Sequence, residues 1–562
     1  MKCITPLLLF FFAFLIKDVQ GQSSKYIIVL KDKQHNPFSL NHPGQYLSAK
    51  SVERRRRQQI AIDSTDLPVT PAYLDSIKNA GEVAIINTSK WLNQALIQTD
   101  DASALEKINQ FSFVRSSAKV SPRISSRREH ETRKYELPVM PLKRIQKVQD
   151  ENDALDYGNM SAQVKIHEGD FLHNMGFRGE GMTIAMLDAG YYHYDTNPAF
   201  DSIRLNNQIL GTWDFVDNKA DVSEEHYHGM VCLSTIAANR PGLLVGTAPK
   251  ANFYLFRTED VGVEYPTEEQ NWVVAAEKAD SLGVDLITSS LGYNTFSNPV
   301  YDYTYEEMDG QTAIITRGAE MAAQKGIFVT NSAGNSGQDS WHYIIAPADG
   351  EHVLAIGAVN YSKDAAPFSS YGPAADGRTK PNVASVGWGT VIADTYGNPS
   401  TTNGTSLANP NLAGLIACLW QAFPEFTNAA IFDAVQRSAD KFNTPDDRVG
   451  FGIPNMRIAY EILDRLRQRK DVERILNNDW LKVYPVPFYQ SFNIVLNPSQ
   501  PSKATLSLYN VLGQKVYNRS IMIESATPVR ISVSDLAYLS PGIYWLSYPD
   551  GKQSRVVRLV KQ

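Results

Sequence analysis

The chain has 562 residues and a formal net charge of -6, with 43% hydrophobic and 20% charged residues. These proportions are ordinary for a globular protein, and the length allows about three or four domains. The negative net charge argues against nucleic acid as a partner. We interpret the two basic runs, Arg54–Arg57 and Arg123–Lys134, as solvated or processed segments.

The first 21 residues have the pattern of a secretory signal peptide. Lys2 precedes the apolar stretch Leu7–Ile16, and a small residue, Gly21, ends the segment. The apolar stretch is too short to span a membrane comfortably, so it does not have the pattern of an anchor. We therefore predict that residues 1–21 are removed on export.

Residues 22–120 have the patterns of a small α+β unit. The predicted strands and helices are Tyr26–Leu30, Pro71–Asn79 (helix), Val83–Ile86, Ala95–Ile97 and Ala102–Gln110 (helix). A basic linker, residues 121–153, follows this unit. Such a linker is accessible to proteases, so we expect the chain to be cut within it.

Two polar residues then follow features typical of a doubly wound sheet. Asp188 ends the apolar run Met182–Leu187, which predicts a buried parallel strand. His228 precedes a predicted helix of small residues, Val231–Asn239. In such sheets active groups gather at the carboxyl ends of strands. His193 and His226 are the rival histidines, and an isolated Asp or His in these contexts is more often a turn or surface residue.

A hydroxyl and an amide complete this set. Ser406 begins an apolar helical run, where unpaired N–H groups and the helix dipole stabilise an oxyanion. Asn335 follows the predicted strand Gly326–Thr330 and offers a second oxyanion donor. Alone, Ser406 would be interpreted as a helix cap and Asn335 as a turn residue. The agreement of order and context predicts a nucleophile, a base and an orienting carboxylate.

The order Asp, His, Ser along the chain resembles that of the subtilisin-like serine peptidases. The matching motifs are Asp188-Ala189-Gly190, His228-Gly229, Ser290-Leu291-Gly292, Ala333-Gly334-Asn335 and Gly404-Thr405-Ser406. The similarity extends from about Asp156 to about Leu463. It implies an α/β catalytic domain, residues 154–464, with a doubly wound parallel sheet.

The resemblance implies a secreted serine endopeptidase that acts on protein or peptide substrates through an acyl-enzyme intermediate. Ser406 would be the nucleophile, His228 the general base and Asp188 the residue that orients the imidazole. Asn335 would hold the oxyanion. The alternative, from another class, is a catalytically silent surface or adhesion protein with the same fold.

The same resemblance suggests how a substrate is bound. Ser290, Leu291 and Gly292 would pair with it as an added strand. Ile345 stands where many relatives have glycine at the floor of the pocket for the residue before the scissile bond. A branched side chain there predicts a preference for small or medium residues. The alternative is that Ile345 merely packs in the core.

Several positions depart from the family pattern. They are Ala189, Met230, Asn382, Leu407 and Asn409. None of these departures removes a group that would move a proton or contact the oxyanion, so we predict an active enzyme.

By its position, the unit of residues 22–120 resembles the inhibitory propeptide of subtilisin-like peptidases secreted by Bacteroidetes. We therefore expect the chain's own propeptide to act as an intramolecular inhibitor. Its removal by cleavage between about Ala118 and Ala154 would expose the cleft, although the sequence does not identify the bond that is cut. A plain structural domain is the alternative.

Metal and thiol chemistry finds little support. His167-Glu168 begins like a zinc-protease helix motif, but Phe171 occupies the place of the second histidine. Relatives often bind calcium; no ligand loop can be assigned, so a structural calcium stays open and no other cofactor is expected. For Cys232 and Cys418, buried free thiols are the first expectation and a disulfide the alternative.

The chain ends in a predicted helical linker, residues 465–479, and a domain of residues 480–562. Strand patterns at regular spacing predict a β-sandwich. The motifs Tyr484–Pro487 and Gly542–Tyr544 resemble the C-terminal sorting domain of the type IX secretion system. This implies a protein that is exported through the periplasm by that machinery and is secreted or held at the cell surface. Separately, we expect the protein to be a monomer. A carbohydrate- or protein-binding module is the alternative.

Overall fold

The computed structural model describes residues 23–122, 135–142, 153–498, 500–523, 528–549 and 554–562. The predicted signal peptide and the basic run Arg123–Lys134 lie outside the described residues. The chain forms two compact units, residues 1–459 and residues 460–562. Among the described helices, none has both the length and the apolar character needed to cross a membrane.

The first unit begins with an antiparallel sheet covered by helices. Its elements are β1 (Lys25–Leu30), α1 (Ala49–Gln58), α2 (Pro71–Lys78), β2 (Ala84–Ser89), β3 (Gln94–Gln98), α3 (Ala102–Gln110) and β4 (Val114–Ser121). The strand order is β2-β3-β1-β4. Ile28 and Ile97 from the sheet pack with Ile77 and Ile108 from two helices. This is the predicted α+β unit, with two elements, α1 and β4, that were not predicted.

A larger α/β region follows. Its strands, after the short β5 (Met140–Pro141), are β6 (Thr183–Asp188), β7 (Ile209–Asp214), β8 (Asn239–Arg240), β9 (Leu244–Val245), β10 (Asn252–Arg257), β11 (Leu286–Ser289), β12 (Phe328–Ser332), β13 (Val353–Val359), β14 (Val383–Val386), β15 (Thr390–Ala393) and β16 (Pro399–Thr402). Its helices are α4 (Ser161–Lys165), α5 (Gly169–Asn174), α6 (Asp201–Leu205), α7 (His228–Ala237), α8 (Pro266–Leu282), α9 (Ile314–Gln324), α10 (Thr405–Ala422) and α11 (Asn428–Arg437).

Seven of these strands form one parallel sheet in the order β14-β13-β12-β11-β6-β10-β7. Its central strands are apolar and buried on both faces, as expected where helices cover both sides. The predicted doubly wound α/β fold is confirmed. In the register, Leu187 lies opposite Ser289, and Ser289 lies opposite Asn331, so β6, β11 and β12 end at one edge.

A small antiparallel sheet lies apart from the main one. Its order is β15-β16-β5, and Met140 and Pro141 of β5 lie opposite Thr401 and Ser400 of β16. Because Ser406 begins α10 only a few residues after β16, the segment that contains β5 passes close to the start of that helix.

Buried charges join the N-terminal α+β part to the α/β region. Arg54 and Arg55 of α1 are 2% and 1% exposed, and both form ion pairs with Asp280 of α8. Arg55 also pairs with Asp66 at 2.6 Å. Although burial opposes ionisation, the charges of Arg54 and its neighbours hold the pKa of Asp280 below its usual range. Our interpretation of Arg54–Arg57 as a solvated or processed run is therefore wrong for Arg54 and Arg55.

A second carboxylate, one turn before Asp280 on α8, faces the same junction. Glu277 accepts hydrogen bonds from the backbone N–H groups of Lys90 and Trp91, at 2.8 and 3.0 Å, and from the Ser89 hydroxyl at 2.5 Å. Burial raises the pKa of Glu277. The short turn between β2 and β3 is thus held by a carboxylate of the α/β region.

Helix α12 (Met456–Leu476) begins nine residues before the predicted linker, because the Asn455 side chain accepts a hydrogen bond from the Ile458 N–H and so caps the helix. The strands of the second unit are β17 (Leu481–Tyr484), β18 (Phe492–Leu496), β19 (Ser502–Asn510), β20 (Lys515–Ile523), β21 (Val529–Val533), β22 (Gly542–Pro549) and β23 (Ser554–Lys561). They form sheets of order β17-β18-β21 and β20-β19-β22-β23 around a shared apolar core, as a β-sandwich requires.

Candidate active site

The residues singled out from the sequence gather at the carboxyl edge of the main sheet. Asp188 is the last residue of β6, Ser290 directly follows β11, and Asn335 lies in the loop after β12. His228 and Ser406 lie in the first turns of α7 and α10. Parallel strands that end together place these five side chains in one region although up to 218 positions separate them.

Asp188 and His228 form a buried pair. His228 Nδ1 lies 2.6 Å from Asp188 Oδ1, which also accepts a hydrogen bond from the Ala189 N–H at 2.7 Å. A Cβ atom at Gly229 would lie 2.5 Å from the Gly190 carbonyl oxygen and 2.8 Å from Asp188 Cβ. The glycine after His228 is therefore a packing requirement, because any side chain there would push the helix away from Asp188.

The surroundings of His228 set its protonation. Burial opposes the charged imidazolium, but the charge of Asp188 and its hydrogen bond outweigh burial and raise the pKa of His228 above its usual value. The other ring nitrogen, Nε2, is buried and has no hydrogen-bond partner among the described residues. An imidazole held at Nδ1 with an unused Nε2 is arranged to exchange a proton at that atom.

The structure brings Ser406 to the same region without a hydrogen bond to His228. Ser406 is 4% exposed, and its hydroxyl donates to the Ser290 carbonyl oxygen at 3.5 Å. The Ser290 hydroxyl in turn donates to the Ser406 carbonyl oxygen at 2.9 Å. Rotation about the Ser406 Cα–Cβ bond would redirect its hydroxyl, since the backbone at this position is fixed by the helix.

Asn335 is oriented by the turn that precedes α10. Its Oδ1 accepts hydrogen bonds from the Thr405 N–H and the Thr405 hydroxyl, both at 2.9 Å. Because the carbonyl end of the amide is held in this way, the NH2 end is left as a donor. Asn335 lines a cavity that Ser406 also lines.

That cavity has a volume of about 430 Å³. Ser290, Leu291 and Gly292 line it, as does Ile345. A Cβ atom at Gly292 would lie 2.6 Å from Ile345 Cγ1, so the isoleucine fills the space beside this glycine. The predicted substrate-binding residues and the predicted specificity residue thus share one cavity with Ser406 and Asn335.

Two features near the site were not predicted. Cys232 is buried, its Sγ lies 3.9 Å from His228 Nδ1, and its thiol donates to the Ser406 carbonyl oxygen at 3.2 Å. Asn409 donates to the Ser289 carbonyl oxygen and to the Thr288 hydroxyl, both at 2.9 Å. The helical spacing Cys232 to His228 could have indicated the first contact, whereas the second joins distant parts of the chain. Cys232 and Cys418 are free thiols.

The rival histidines have other surroundings. His226 Nδ1 accepts the His228 N–H at 3.2 Å, and burial, with the charge of His228, lowers the pKa of His226 to about 4. His193 stacks on Tyr192. His167 is buried between the Pro454 carbonyl oxygen and the Ser385 hydroxyl, both at 2.8 Å, which accounts for it without zinc.

One cluster of carboxylates could be considered for calcium. Asp214, Asp217 and Glu225 bring their oxygens close together. Arg257 Nη1 lies 2.7, 2.9 and 3.5 Å from these three side chains, and Lys219 lies 2.6 Å from Glu225. Since the Arg257 guanidinium already lies close to all three carboxylates and Lys219 pairs with one of them, these residues do not fit a calcium ion.

Comparisons with known proteins agree with the fold. Residues 179–452 match the model of the subtilase family, residues 25–135 that of the peptidase S8 propeptide domain of Bacteroidota, and residues 482–562 that of the secretion system C-terminal sorting domain. The chain belongs to the subtilase family. Its sorting domain indicates export, followed by release or attachment at the cell surface.

Individual relatives are similar over the α/β region. A subtilisin of Bacillus pumilus is 30% identical over 273 residues, which is 48% of this chain and 87% of the relative. Serine protease AprX of Bacillus subtilis is 27% identical over 49% of this chain, and subtilisin NAT of Bacillus subtilis subsp. natto is 31% identical over 48%. The chain spans 65% and 63% of the lengths of these last two proteins.

Proposed function

We propose that this protein is a secreted serine endopeptidase that hydrolyses peptide bonds through an acyl-enzyme intermediate. The observation that carries the proposal is the buried Asp188–His228 pair, whose unused Nε2 lies at the sheet edge where Ser406 and Asn335 line one cavity. Membership of the subtilase family supports it.

In this mechanism Ser406 Oγ attacks the scissile carbonyl carbon. His228 Nε2 takes the hydroxyl proton and later gives it to the leaving amine, while Asp188 fixes the imidazole tautomer and stabilises the imidazolium. A water molecule then repeats the attack and releases the acid product. The step requires Ser406 Oγ to turn from the Ser290 carbonyl oxygen toward His228.

Charge develops on the carbonyl oxygen during the attack. The NH2 group of Asn335 and the Ser406 backbone N–H, at the positive end of α10, are the donors that stabilise it. Since both donors are held by the fold, they need no reorganisation when the charge forms.

Ser290, Leu291 and Gly292 hold the substrate backbone, and Ile345 limits the pocket for the residue before the scissile bond. Buried volume is hard to displace, so we propose a preference for small or medium residues there. A peptide-library profile dominated by Phe and Tyr at that position would contradict this preference.

The rest of the chain regulates and exports the enzyme. The propeptide, residues 22–120, is proposed to inhibit the catalytic domain until the linker of residues 121–153 is cut; the ion pairs of Arg54 and Arg55 with Asp280 hold it in place. The sorting domain, residues 480–562, is proposed to engage the type IX secretion machinery. We propose that the mature enzyme is a monomer.

Fluorophosphonate labelling of the processed protein, with casein cleavage in parallel, tests the proposal. We expect both in the wild type, neither in Ser406→Ala, and both in the matched control Ser362→Ala, which changes an exposed serine. The rotation of Ser406 away from His228 is the observation that favours a silent scaffold. A folded, processed wild type that neither labels nor cleaves would establish that alternative.

A further inference from the structure

The segment of residues 135–142 crosses the cavity that contains Ser406. Glu136 and Leu137 line that cavity, and the Leu137 N–H donates to the hydroxyl of Tyr227 at 3.1 Å. Farther along, Met140 pairs with Thr401 of β16. Among residues 135–142, only Glu136 and Leu137 line the cavity, so the peptide bond between them lies at the cavity that Ser406 also lines.

Tyr135, which precedes Glu136 in the chain, packs against His228. The two rings meet edge to face with their centroids 5.3 Å apart. Tyr135 is 3% exposed, and its hydroxyl donates to Glu259 Oε2 at 2.7 Å. Tyr135, the second residue before the Glu136–Leu137 bond, therefore fills a closed pocket.

Glu259 forms the floor of that pocket. It is fully buried just beyond the end of β10, and it also accepts hydrogen bonds from the hydroxyls of Tyr293 and Thr258. A buried carboxylate is costly unless donors surround it. A tyrosine supplies one donor at the depth of the pocket, whereas a phenylalanine would bury the carboxylate with one donor fewer.

A neutral donor suits the pocket better than a cation. Burial and the charge of Glu259 raise the pKa of Tyr135, so its hydroxyl keeps its proton. A lysine or arginine would have to lose its hydration in this closed pocket, and its charge would lie beside His228, which becomes positively charged when it takes the Ser406 proton. The pocket thus combines an aromatic wall with a buried carboxylate.

We propose that Glu259 is a specificity-determining residue that selects tyrosine at the second position before the scissile bond, and that Tyr135 uses this subsite to direct self-cleavage between Glu136 and Leu137. The inference rests on the proposed serine endopeptidase activity. It deepens that function by naming a preferred substrate side chain and the bond whose cleavage frees the catalytic domain.

Cleavage between Glu136 and Leu137 is an ordinary peptide hydrolysis. Ser406 Oγ bonds to the Glu136 carbonyl carbon, the carbon–nitrogen bond to Leu137 breaks, and the Ser406 proton passes through His228 to the Leu137 amine. Water then replaces Ser406, leaving a Glu136 carboxylate and a free amino group on Leu137. The propeptide family match, which ends at residue 135, stops one residue before this bond.

Two measurements test the inference. The first sequences the N-terminus of the processed wild type, which we expect at Leu137, and compares it with the Ser406→Ala chain, which we expect to stay uncut at this bond. The second compares peptides of residues 131–141 that carry Tyr, Phe or Lys at position 135. Hydrogen bonds to charged groups predict a kcat/KM for Tyr about 10- to 100-fold above that for Phe, and Lys below Tyr.

A Glu259→Met variant of similar volume should lose the preference for Tyr over Phe in the same peptide comparison. If that variant does not fold, the peptide comparison on the wild type still decides. A labelled, active wild type that cuts elsewhere, or that cleaves the Phe or Lys peptide as well as the Tyr peptide, would overturn this inference and leave the proposed function standing. A processed wild type that does not label would overturn both.

Discussion

The protein buries two groups of charges that differ in what they leave unpaired. In the Asp188–His228 pair, Nε2 of the imidazole has no hydrogen-bond partner among the described residues. In the second group, Asp280 is enclosed by Arg54 and Arg55 from a distant part of the chain. Both arrangements cost desolvation, but only the first keeps a reactive atom available. The Asp188–His228 pair thus leaves an atom free for proton transfer, whereas the cluster around Asp280 joins two parts of the chain.

The substitution Asp188→Asn should have the largest effect. It removes the charge that raises the pKa of His228 and favours the wrong imidazole tautomer, so we expect kcat to fall about ten-thousand-fold, the loss known for the same change in another serine protease. Casein cleavage by enzyme processed in trans measures it. A loss below tenfold, with a folded protein, would show that the pair does not serve catalysis.

Asp280→Asn tests the other group and should leave the catalytic residues intact. Because Arg54 and Arg55 would stay buried without their main counter-charge, we expect the unfolding free energy of the Ser406→Ala precursor to fall by about 3–5 kcal/mol. Denaturant unfolding measures the change. The exposed pair Asp433–Arg437 provides a matched control, since Asp433→Asn should cost under about 0.5 kcal/mol. Equal effects of the two substitutions would contradict our view of the buried cluster.

The substitution Asn335→Ala tests whether the Asn335 side chain stabilises the transition state. Removing one oxyanion donor should lower kcat about 100- to 1,000-fold, or about 3 kcal/mol, a magnitude measured in subtilisin and not obtained from this structure. KM for a peptide substrate should change little, because the donor acts where charge develops. A raised KM with an unchanged kcat would instead place Asn335 in substrate binding.

Glu269 provides a third case, a buried carboxylate whose bonded partners, the Tyr303 hydroxyl and the Ile315 N–H, are neutral. Burial raises the pKa of Glu269 to about 8. A raised pKa in the folded state gives stability that is present below the unfolded pKa and lost as pH rises through about 8.

We therefore compare the free energy of unfolding of Glu269→Gln with that of the wild type. We expect the difference to change in favour of the variant by about 1–4 kcal/mol as the pH rises from 5 to 9. Urea unfolding of the Ser406→Ala precursor at both pH values measures the difference. A pH-independent difference would mean that Glu269 is already ionised in the folded protein.

Much of the candidate active site could be predicted because its residues follow strands or begin helices. Asp188 after β6 and Ser406 at the start of α10 carry local patterns that also place them in space. The doubly wound fold followed from the same apolar runs. Helix α1 was not predicted, because four consecutive arginines conceal which of its faces is buried. Only Asp280, which lies 226 positions away, shows why Arg54 is buried.

The contact between Tyr135 and Glu259 could not be predicted for a similar reason. The two residues are 124 positions apart, and neither belongs to a motif. Glu259 in the sequence has the character of a surface residue after a strand, yet the fold buries it completely. Local patterns indicate which edge of the sheet is used, whereas the pocket at that edge depends on residues that meet only after folding.

The segment that crosses the cavity is part of the same polypeptide, and this affects how inhibition depends on dilution. A tethered ligand acts at an effective concentration on the order of millimolar, whatever the concentration of the protein. Once the Glu136–Leu137 bond or any bond in the linker is cut, occupancy of the cavity becomes a bimolecular equilibrium. Transfer from a crowded compartment to a dilute exterior would then release the propeptide without any further signal.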